Sequence, residues 1–344
     1  MPISMYSTHE LQGVIETLRP PRTFWLDLCY PSSITFETET IDFDVVDKSR
    51  RLAPFVAPTA QGKVMRSEGF TTKQFKPAYV KPKGTVDPRR VFKRRAGEAY
   101  TGTLSPQARR NAIIADILNE HNEMHTRRRE WMAVNALVED QVTVSGENYP
   151  TTVVQFGRPA NQKIALTGAN QWGQVGVNIL DNLEDWAERM FNASGYAPTH
   201  LVMGVTAWKT FRADANVQKA LDTNYRGASS NVNVFDPGDG TYAQYRGRIG
   251  VWGVWTYNDT YVDDTNTTQA MMDQKKVVLL NPAGVEGARC YGAILDPEAG
   301  YVATEMYAKN WIENDPPAEF LMTQSAPLMV PTRPAAAVVA KVLE

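Results

Sequence analysis

Two histidines, His121 and His125, are the residues in this 344-residue chain whose spacing most suggests metal chemistry. They stand at the ends of the run HNEMH, so a helix places both on one face, where they can bind zinc. The corresponding zinc-peptidase motif needs a glutamate directly after the first histidine. Here Asn122 takes that place and Glu123 lies about 100° further round the helix. The pattern therefore favours two solvated helix residues over a metal site.

Other candidate motifs also lack the spacing that their chemistry requires. Gly173–Gly176 has neither a third glycine nor a following G-K-[ST], so it matches no phosphate loop. Asp236–Gly240 and Asp263–Asp264 are better explained as turns than as calcium loops. The serines and cysteines have no nucleophile-elbow context, and no carboxylate pair is placed for acid–base work. The sequence therefore predicts no catalytic, cofactor or metal site, and a protein that is not an enzyme.

Composition indicates a folded protein, with 43% hydrophobic and 22% charged residues. A net charge of −2 gives no argument for nucleic-acid binding. Cys29 and Cys290 are too few for a disulfide framework and are expected to be buried thiols. Residues 1–20 lack the pattern of a secretory signal, and residues 335–343 are too short to span a bilayer. We therefore expect no membrane association.

One long helix is predicted over Ser105–Asp140, between two unlike halves of the chain. Ser105 is a suitable N-cap and Pro106 suits the first helical position, and neither Gly nor Pro then occurs before Gly146. Such a helix is on the order of 50 Å long. Its apolar residues cluster at the two ends, whereas residues 119–130 are polar except for Met124. This pattern predicts a strut that bridges separate cores or packs against neighbouring subunits.

The residues before this helix indicate an arm and an extended loop. Residues 1–33 contain a short helical pattern, Thr8–Leu18, and an apolar anchor, Phe24–Leu26. Alternation in Ile34–Asp44 predicts a half-buried strand with an acidic outer face. We interpret residues 34–95 as a projecting β-hairpin that needs a partner surface, because isolated hairpins are marginally stable. The acidic residues of the strand are Glu37, Glu39, Asp42 and Asp44.

The stretch Lys81–Arg95 contains seven basic residues and one acid. It is either a solvated face or a surface that meets phosphate or an acidic neighbour. The acidic strand is an available protein partner, which favours contact between subunits over nucleic acid. The candidate basic contacts are Arg89, Arg90, Lys93, Arg94, Arg95, Arg127, Arg128 and Arg129.

After the long helix, strands and helices alternate. Residues 142–145 and 151–156 predict a hairpin, Ile179–Asn192 a helix, and Leu201–Val205 a buried strand followed by a helix. Later strands are predicted at residues 242–246, 250–258, 276–280, 288–295 and 319–324. This order indicates an α+β domain with a mixed or antiparallel sheet.

Several short strings along the whole chain are informative as a set. The most specific are Tyr79–Lys83 (YVKPK) and Gln324–Met329 (QSAPLM). The others are Ser4–Thr8, Gly146–Glu147, Phe156–Arg158, Asn192–Gly195, Tyr307–Trp311, Asp315–Pro316 and Glu319–Phe320. Together these strings resemble the major capsid protein E family of tailed phages, and residues 224–264 depart from the family pattern.

The resemblance implies an α+β fold of the Hong Kong-97 capsid type. Its parts would be an N-terminal arm (1–33), an extended loop (34–95), a peripheral domain (96–150) with the spine helix (105–140), an axial domain (151–296), and a return to the peripheral domain with the C-terminal tail (297–344).

The resemblance also implies a function as the major capsid protein of a tailed phage. Such subunits form hexamers and pentamers of an icosahedral shell around double-stranded DNA, which they meet without sequence specificity. Expected partners are other copies of the chain, a decoration protein, a scaffolding protein and a portal. The shell would assemble in the host bacterial cytoplasm and become part of the virion. The alternatives are an encapsulin-type compartment of the same fold and a hydrolase that uses His121 and His125.

Overall fold

A computed structural model describes residues 6–18, 21–38, 40–46, 53, 55–56, 58–59, 61, 70–93, 104–146, 149–224, 242–263, 265–315 and 317–344. The helices are α1 (Thr8–Thr17), α2 (Trp25–Cys29), α3 (Pro88–Phe92), α4 (Pro106–Val138), α5 (Ile179–Ser194), α6 (Val205–Ala213), α7 (Ala215–Asn224) and α8 (Pro282–Val285). The strands are β1 (Ser32–Thr35), β2 (Ile41–Val46), β3 (Phe70–Phe75), β4 (Lys83–Val86), β5 (Gln141–Gly146), β6 (Tyr149–Gln155), β7 (Lys163–Ala165), β8 (His200–Gly204), β9 (Ala243–Ile249), β10 (Trp252–Tyr257), β11 (Thr260–Val262), β12 (Thr268–Ala270), β13 (Lys276–Leu280), β14 (Ala288–Tyr291), β15 (Tyr307–Asn314), β16 (Pro317–Gln324), β17 (Pro327–Val330) and β18 (Ala337–Lys341).

Helix α4, the spine helix, confirms the predicted long helix. The Ser105 hydroxyl accepts a hydrogen bond from the Ala108 N–H at 3.2 Å, and Pro106 occupies the first turn. The helix has 33 residues, which corresponds to about 50 Å. It ends at Val138, and Asp140 then adopts a left-handed conformation (φ 58°) that leads the chain into β5.

A six-stranded mixed sheet with the order β7-β18-β13-β8-β10-β9 forms the largest sheet of the described residues. Strand β8 is parallel to β10 and antiparallel to β13, as the predicted mixed topology allows. Successive side chains of β8 point to opposite faces. Leu201 and Met203 therefore pack with α5–α7, while Val202 joins the core that contains the C-terminal end of the spine helix. The central strands of the sheet are therefore buried on both faces.

Helices α5, α6 and α7 contribute buried apolar residues to the same core on one face of this sheet. Helix α5 confirms the predicted helix, with Leu183, Trp186 and Met190 buried at helical spacing. Strand β8 ends at Gly204, where an added Cβ would lie 2.4 Å from the backbone of Gln274. A glycine is therefore required at this close approach, and α6 begins immediately afterwards.

The spine helix also packs on strands from distant parts of the sequence. Strands β15, β16 and β4 form one three-stranded sheet, and β1, β14 and β17 form another. The N-terminal half of the spine helix shares a core with α1 and with residues of β4, β15 and β16. Leu11 of α1 is 1% exposed in this core, so the N-terminal segment docks on the body of its own chain.

The predicted strand over Ile34–Asp44 is two strands in the structure. Strand β1 pairs in parallel with β14, whereas β2 pairs with β3 in a separate hairpin. The shift in alternation before Ile41 marks the point where the chain changes sheets. Strand β4 pairs with β16, so within the described residues only β2 and β3 of the predicted loop pair with each other.

The base of the β2–β3 hairpin has a partner surface within its own chain. Ile41, Phe43 and Phe75 are buried in the core that contains Phe156 and the end of the spine helix. The Lys73 ammonium donates a hydrogen bond to the Gln155 carbonyl at 2.6 Å. In the described ranges, no helix has the length and apolarity needed to cross a membrane.

Candidate functional site

The two histidines at the centre of the spine helix are buried, so their interpretation as solvated polar residues is wrong. His121 is 4% exposed and His125 is 3% exposed. Both rings lie against one hydroxyl, that of Thr323, at 3.2 Å from His121 Nδ1 and 3.0 Å from His125 Nε2. Strand β16 therefore supplies a hydrogen-bonding partner for the polar middle of the helix.

Burial controls the charge of this pair. It lowers the pKa of His125 to about 3, with the nearby Arg129 and His121 acting in the same direction, and it also lowers the pKa of His121. Neutral rings suit a shared hydroxyl, which can donate to one nitrogen and accept from another. Nowhere in the described residues do three or more His, Cys, Asp or Glu side chains form a potential metal site.

Glu130 connects the spine helix to the N-terminal segment. Its carboxylate accepts hydrogen bonds from the backbone N–H groups of Phe24, Trp25 and Leu26 at 3.2, 2.9 and 3.0 Å. The Tyr257 hydroxyl, from β10, donates to the same carboxylate at 3.2 Å. Glu130 is therefore the point where the arm, the spine helix and the large sheet meet.

Burial raises the pKa of the Glu130 carboxyl to about 7, although the backbone N–H donors act in the opposite direction. Trp25, which Glu130 caps, is completely buried against the spine helix and confirms the predicted apolar anchor. Arg22, Arg127 and Asp259 line a cleft beside this junction. One buried acidic side chain therefore contributes to the docking of the arm.

The three consecutive arginines of the spine helix have different environments. Arg129 is buried and binds the Glu305 carboxylate, the Tyr291 hydroxyl and the Thr126 hydroxyl within its own chain. Arg127 is exposed and donates to the Thr260 carbonyl at 2.9 Å. Arg128 is exposed and lies over the Trp131 ring. Of these three arginines, Arg127 and Arg128 lie on the subunit surface and Arg129 does not.

Two buried arginines, neither of which was predicted as a contact residue, bind the two ends of the spine helix. Near its start, Arg110 forms two 2.7 Å hydrogen bonds to the carboxylate of Glu319 in β16. Near its end, Arg158 donates to the carbonyl oxygen of Leu137 and, at 3.2 Å, to that of Pro334. Cations are favourable beside the carbonyl end of a helix. No local pattern marks either arginine, because the partners lie far away in the sequence.

The acidic residues predicted on one strand do not share one strand in the structure: Glu37 follows β1, whereas Asp42 and Asp44 lie in β2. Glu37 and Asp42 are exposed. Asp44 lies in β2, where only its backbone is described, and Glu39 lies outside the described residues.

The predicted basic residues lie in and next to the short helix α3. Asp87 accepts a hydrogen bond from the Arg89 N–H at 2.8 Å and so caps this helix. Arg89, Arg90 and Lys93 are exposed around Phe92, which is 78% exposed. Arg94 and Arg95 lie outside the described residues. Within the described parts of the chain, no ion pair joins this basic set to the acidic set.

The comparison with family models shows what kind of protein has this architecture. Residues 7–342 match the model of the phage major capsid protein E. The chain belongs to this family. The major capsid protein of Escherichia phage lambda is 30% identical over 332 residues, covering 95% of this chain and 96% of that protein. The major capsid protein of Escherichia phage N15 is 31% identical over the same shares of the two chains.

Solved structures show the same fold. The crystal structure of a prophage capsid protein from E. coli CFT073 superposes with a TM-score of 0.76, at 23% identity, over 99% of this chain and 100% of that one. The mature capsid of bacteriophage PhiM1 gives a TM-score of 0.52 at 10% identity, over 93% and 87% of the two chains. The fold is the Hong Kong-97 capsid type.

As a member of the capsid protein E family, this chain is a structural protein of the virion and a major capsid protein of a tailed phage. Its buried polar residues fit that role. The partnered groups of the spine helix hold the arm, the large sheet and the smaller sheets of one subunit together. The exposed charged sets lie elsewhere on the surface.

Proposed function

We propose that this capsid protein forms hexamers and pentamers of an icosahedral shell that encloses double-stranded DNA. The observation that carries the proposal is the family match, which extends over residues 7–342. The chain then divides into an arm (1–33), an extended loop (34–95), a peripheral domain (96–150 and 297–344) and an axial domain (151–296). DNA lies inside by proximity and is not bound sequence-specifically, in keeping with a net charge of −2.

Contacts between subunits form in part through the exposed charged residues. Glu37 and Asp42 supply acidic groups, and Arg89, Arg90 and Lys93 supply basic groups on the surface. Arg127 and Arg128 add exposed cations on the spine helix. Among the described residues, these oppositely charged sets form no ion pair with each other, which favours contact with the next subunit. Arg129 is not part of this contact set, because its charge is satisfied inside the chain.

We also propose that this protein interacts with the other proteins that a phage shell requires. A scaffolding protein and a portal act during assembly in the host bacterial cytoplasm, and a decoration protein then binds the shell. Family membership supports these partners, and co-expression with the neighbouring genes tests them.

Negative-stain electron microscopy tests the shell itself, on protein expressed alone and with the neighbouring genes. We expect closed shells in at least one of these conditions. Small discrete oligomers under every assembly condition would contradict the proposal. Nuclease-protected DNA inside the particles distinguishes a phage head from an encapsulin-type compartment.

Charge reversal tests the contact set. We expect Arg89→Glu with Arg90→Glu and Lys93→Glu to reduce shell yield by about tenfold or more, because like charges across an interface cost several kcal/mol. The subunit stays folded, since these side chains are exposed. The control Arg89→Lys with Arg90→Lys keeps the charges and should assemble normally. Normal shells from the reversed variant would refute the contact assignment.

A further inference from the structure

Helix α5 has a continuous acidic outer face. Asp181, Glu184, Asp185 and Glu188 follow the spacing i, i+3, i+4 and i+7, which aligns them along one side of a helix. All four are exposed, whereas the opposite side of the helix is buried in the core. We call this set the α5 acidic face.

Most of this acidic charge has no partner within the chain. Asp185 forms an ion pair with Arg189 at 2.7 Å, and both side chains are largely exposed. Among the residues that the structure describes, Asp181, Glu184 and Glu188 form no side-chain hydrogen bond or ion pair. Four like charges this close repel one another, so a cationic surface placed against them lowers the energy.

Helices α6 and α7 have the opposite charge. Lys209 and Arg212 are exposed on α6 and Lys219 is exposed on α7, while Trp208 and Phe211 point into the core. Asp214, the residue after α6, accepts hydrogen bonds from the N–H groups of Asn216 and Val217 at the start of α7. We call Lys209, Arg212 and Lys219 the α6–α7 basic face.

Helices α5 and α6 lie over different halves of the large sheet, and α7 contacts both helices. Helix α5 packs over β18, which neighbours the edge strand β7, and α6 packs over β8 and β10, towards the edge strand β9. An acidic face cannot pair with a copy of itself without strong repulsion. The complementary pairing is therefore heterologous, with α5 of one copy against α6 and α7 of the next, and such a contact repeats into a ring when its rotation closes.

We propose that the α5 acidic face of each subunit binds the α6–α7 basic face of a neighbouring copy, in a head-to-tail contact that closes the capsomer ring. This assignment rests on the proposed assembly into hexamers and pentamers. It gives the contacts around the ring one direction, and it identifies the side chains that each of the two subunits contributes. The occupant is a second copy because the complementary charge is present on the same chain.

A charge-swap experiment on the full-length protein tests the contact. One variant carries Glu184→Lys and Glu188→Lys, a second carries Lys209→Glu and Arg212→Glu, and a third carries all four. We expect each two-site reversal to lower shell yield by about tenfold or more and the four-site variant to recover most of the wild-type yield. The charge-retaining control, Glu184→Asp with Glu188→Asp, should assemble like the wild type.

The outcomes separate this contact from the proposed function. If wild-type protein forms no shells, the proposed function fails. If wild-type shells form and either two-site reversal also assembles normally, or if the four-site variant gains nothing over the two-site ones, the contact is refuted. Loss of assembly in the acidic-face reversal alone would indicate a different basic partner and would also overturn the second-copy assignment.

Disulfide cross-linking gives a readout that does not depend on the reversed variants folding. With Glu184→Cys and Arg212→Cys in one chain, mild oxidation of assembled shells should produce a ladder of covalent oligomers. Either single cysteine should give no ladder, since the native Cys29 and Cys290 are buried. An absence of ladders in intact shells would place the two faces apart and refute the contact.

Discussion

The spine helix and the helices of the large sheet use charge in opposite ways. Along the spine helix, Arg110, Arg129 and Glu130 are buried, and each binds groups of its own chain. On α5 and α6, Glu184, Lys209 and other charged side chains are exposed and point away from the core. Buried charges therefore fix the internal geometry of the subunit, whereas exposed charges are available to neighbours. Substitutions in the first region should affect folding, and those in the second should affect assembly.

The buried pair Arg110–Glu319 provides the strongest test of this difference. Changing Arg110→Ala leaves the Glu319 carboxylate buried without its cation, which typically costs about 3–5 kcal/mol. We expect a correspondingly lower free energy of unfolding, measured by urea denaturation of unassembled subunits.

A double substitution separates ion pairing from packing at this site. Replacing both partners with apolar residues, Arg110→Met with Glu319→Leu, removes the unpaired charge, and such exchanges are often neutral. The double variant should therefore be clearly more stable than Arg110→Ala alone. Equal stability of the two variants would show that the ion pair does not determine the cost.

Glu130→Gln should weaken arm docking, with a smaller loss of stability than Arg110→Ala. The amide oxygen of glutamine can still accept from Trp25 N–H, but its NH2 group would face the Leu26 N–H, which lies 3.0 Å from a carboxylate oxygen in the native protein. One unsatisfied buried donor costs about 1–3 kcal/mol. Limited trypsin digestion at the exposed Arg22 should become faster. Glu120→Gln, at an exposed position of the same helix, is the matched control and should leave the cleavage rate unchanged.

The buried face of the spine helix could be followed in the sequence further than its apolar residues alone suggest. The helix itself, its Ser105 cap and its two apolar ends were predicted correctly. Its polar middle was wrongly interpreted, although steps of four residues from Ile113 lead through Ile117 to His121 and His125, and all four are buried. Helical spacing therefore continues through the middle of the helix with polar residues in the buried positions.

The partners of those buried residues could not be predicted from local patterns. His125 is 198 residues from Thr323, and Glu130 is 127 residues from Tyr257. Without such partners, a solvated surface is the favourable environment for a polar side chain, which explains the wrong expectation. The candidate contacts Glu37, Arg89 and Arg90 needed no partner within the chain, and their exposure agrees with the charge pattern.

Two of the buried titratable groups of the spine helix, His125 and Glu130, should have opposite effects on stability as pH changes. The folded pKa of His125, about 3, lies below the usual 6.5, so the unfolded chain takes up a proton first as pH falls. The contribution of His125 to the free energy of unfolding is complete above pH 6.5 and decreases below it, by about 1.4 kcal/mol at pH 5.5. His125→Gln should remove this acid-sensitive part.

Glu130 has the opposite sign, since its folded pKa of about 7 lies above the usual 4.5. The contribution of Glu130 to the free energy of unfolding is complete below pH 4.5 and is lost as pH rises through 7. Urea denaturation of the wild type, His125→Gln and Glu130→Gln at pH 5.5 and 7.5 separates the two effects. A wild-type pH dependence that neither substitution alters would contradict both assignments.

The smallest effect on folding is expected at the exposed ion pair between Asp185 and Arg189. Arg189→Gln removes a helix-surface pair of a kind worth about 0.3–0.5 kcal/mol, so the unfolding free energy of the subunit should barely change.

The same substitution removes one positive charge beside the α5 acidic face. If that face meets the basic face of a neighbour, Arg189→Gln strengthens the contact and shells should withstand higher salt. Sedimentation of preformed shells across a salt series measures this, with Asp185→Asn as the counterpart that should lower salt resistance. A change in subunit stability larger than about 1 kcal/mol, with salt resistance unchanged, would show that exposed charge on α5 contributes to folding rather than to assembly.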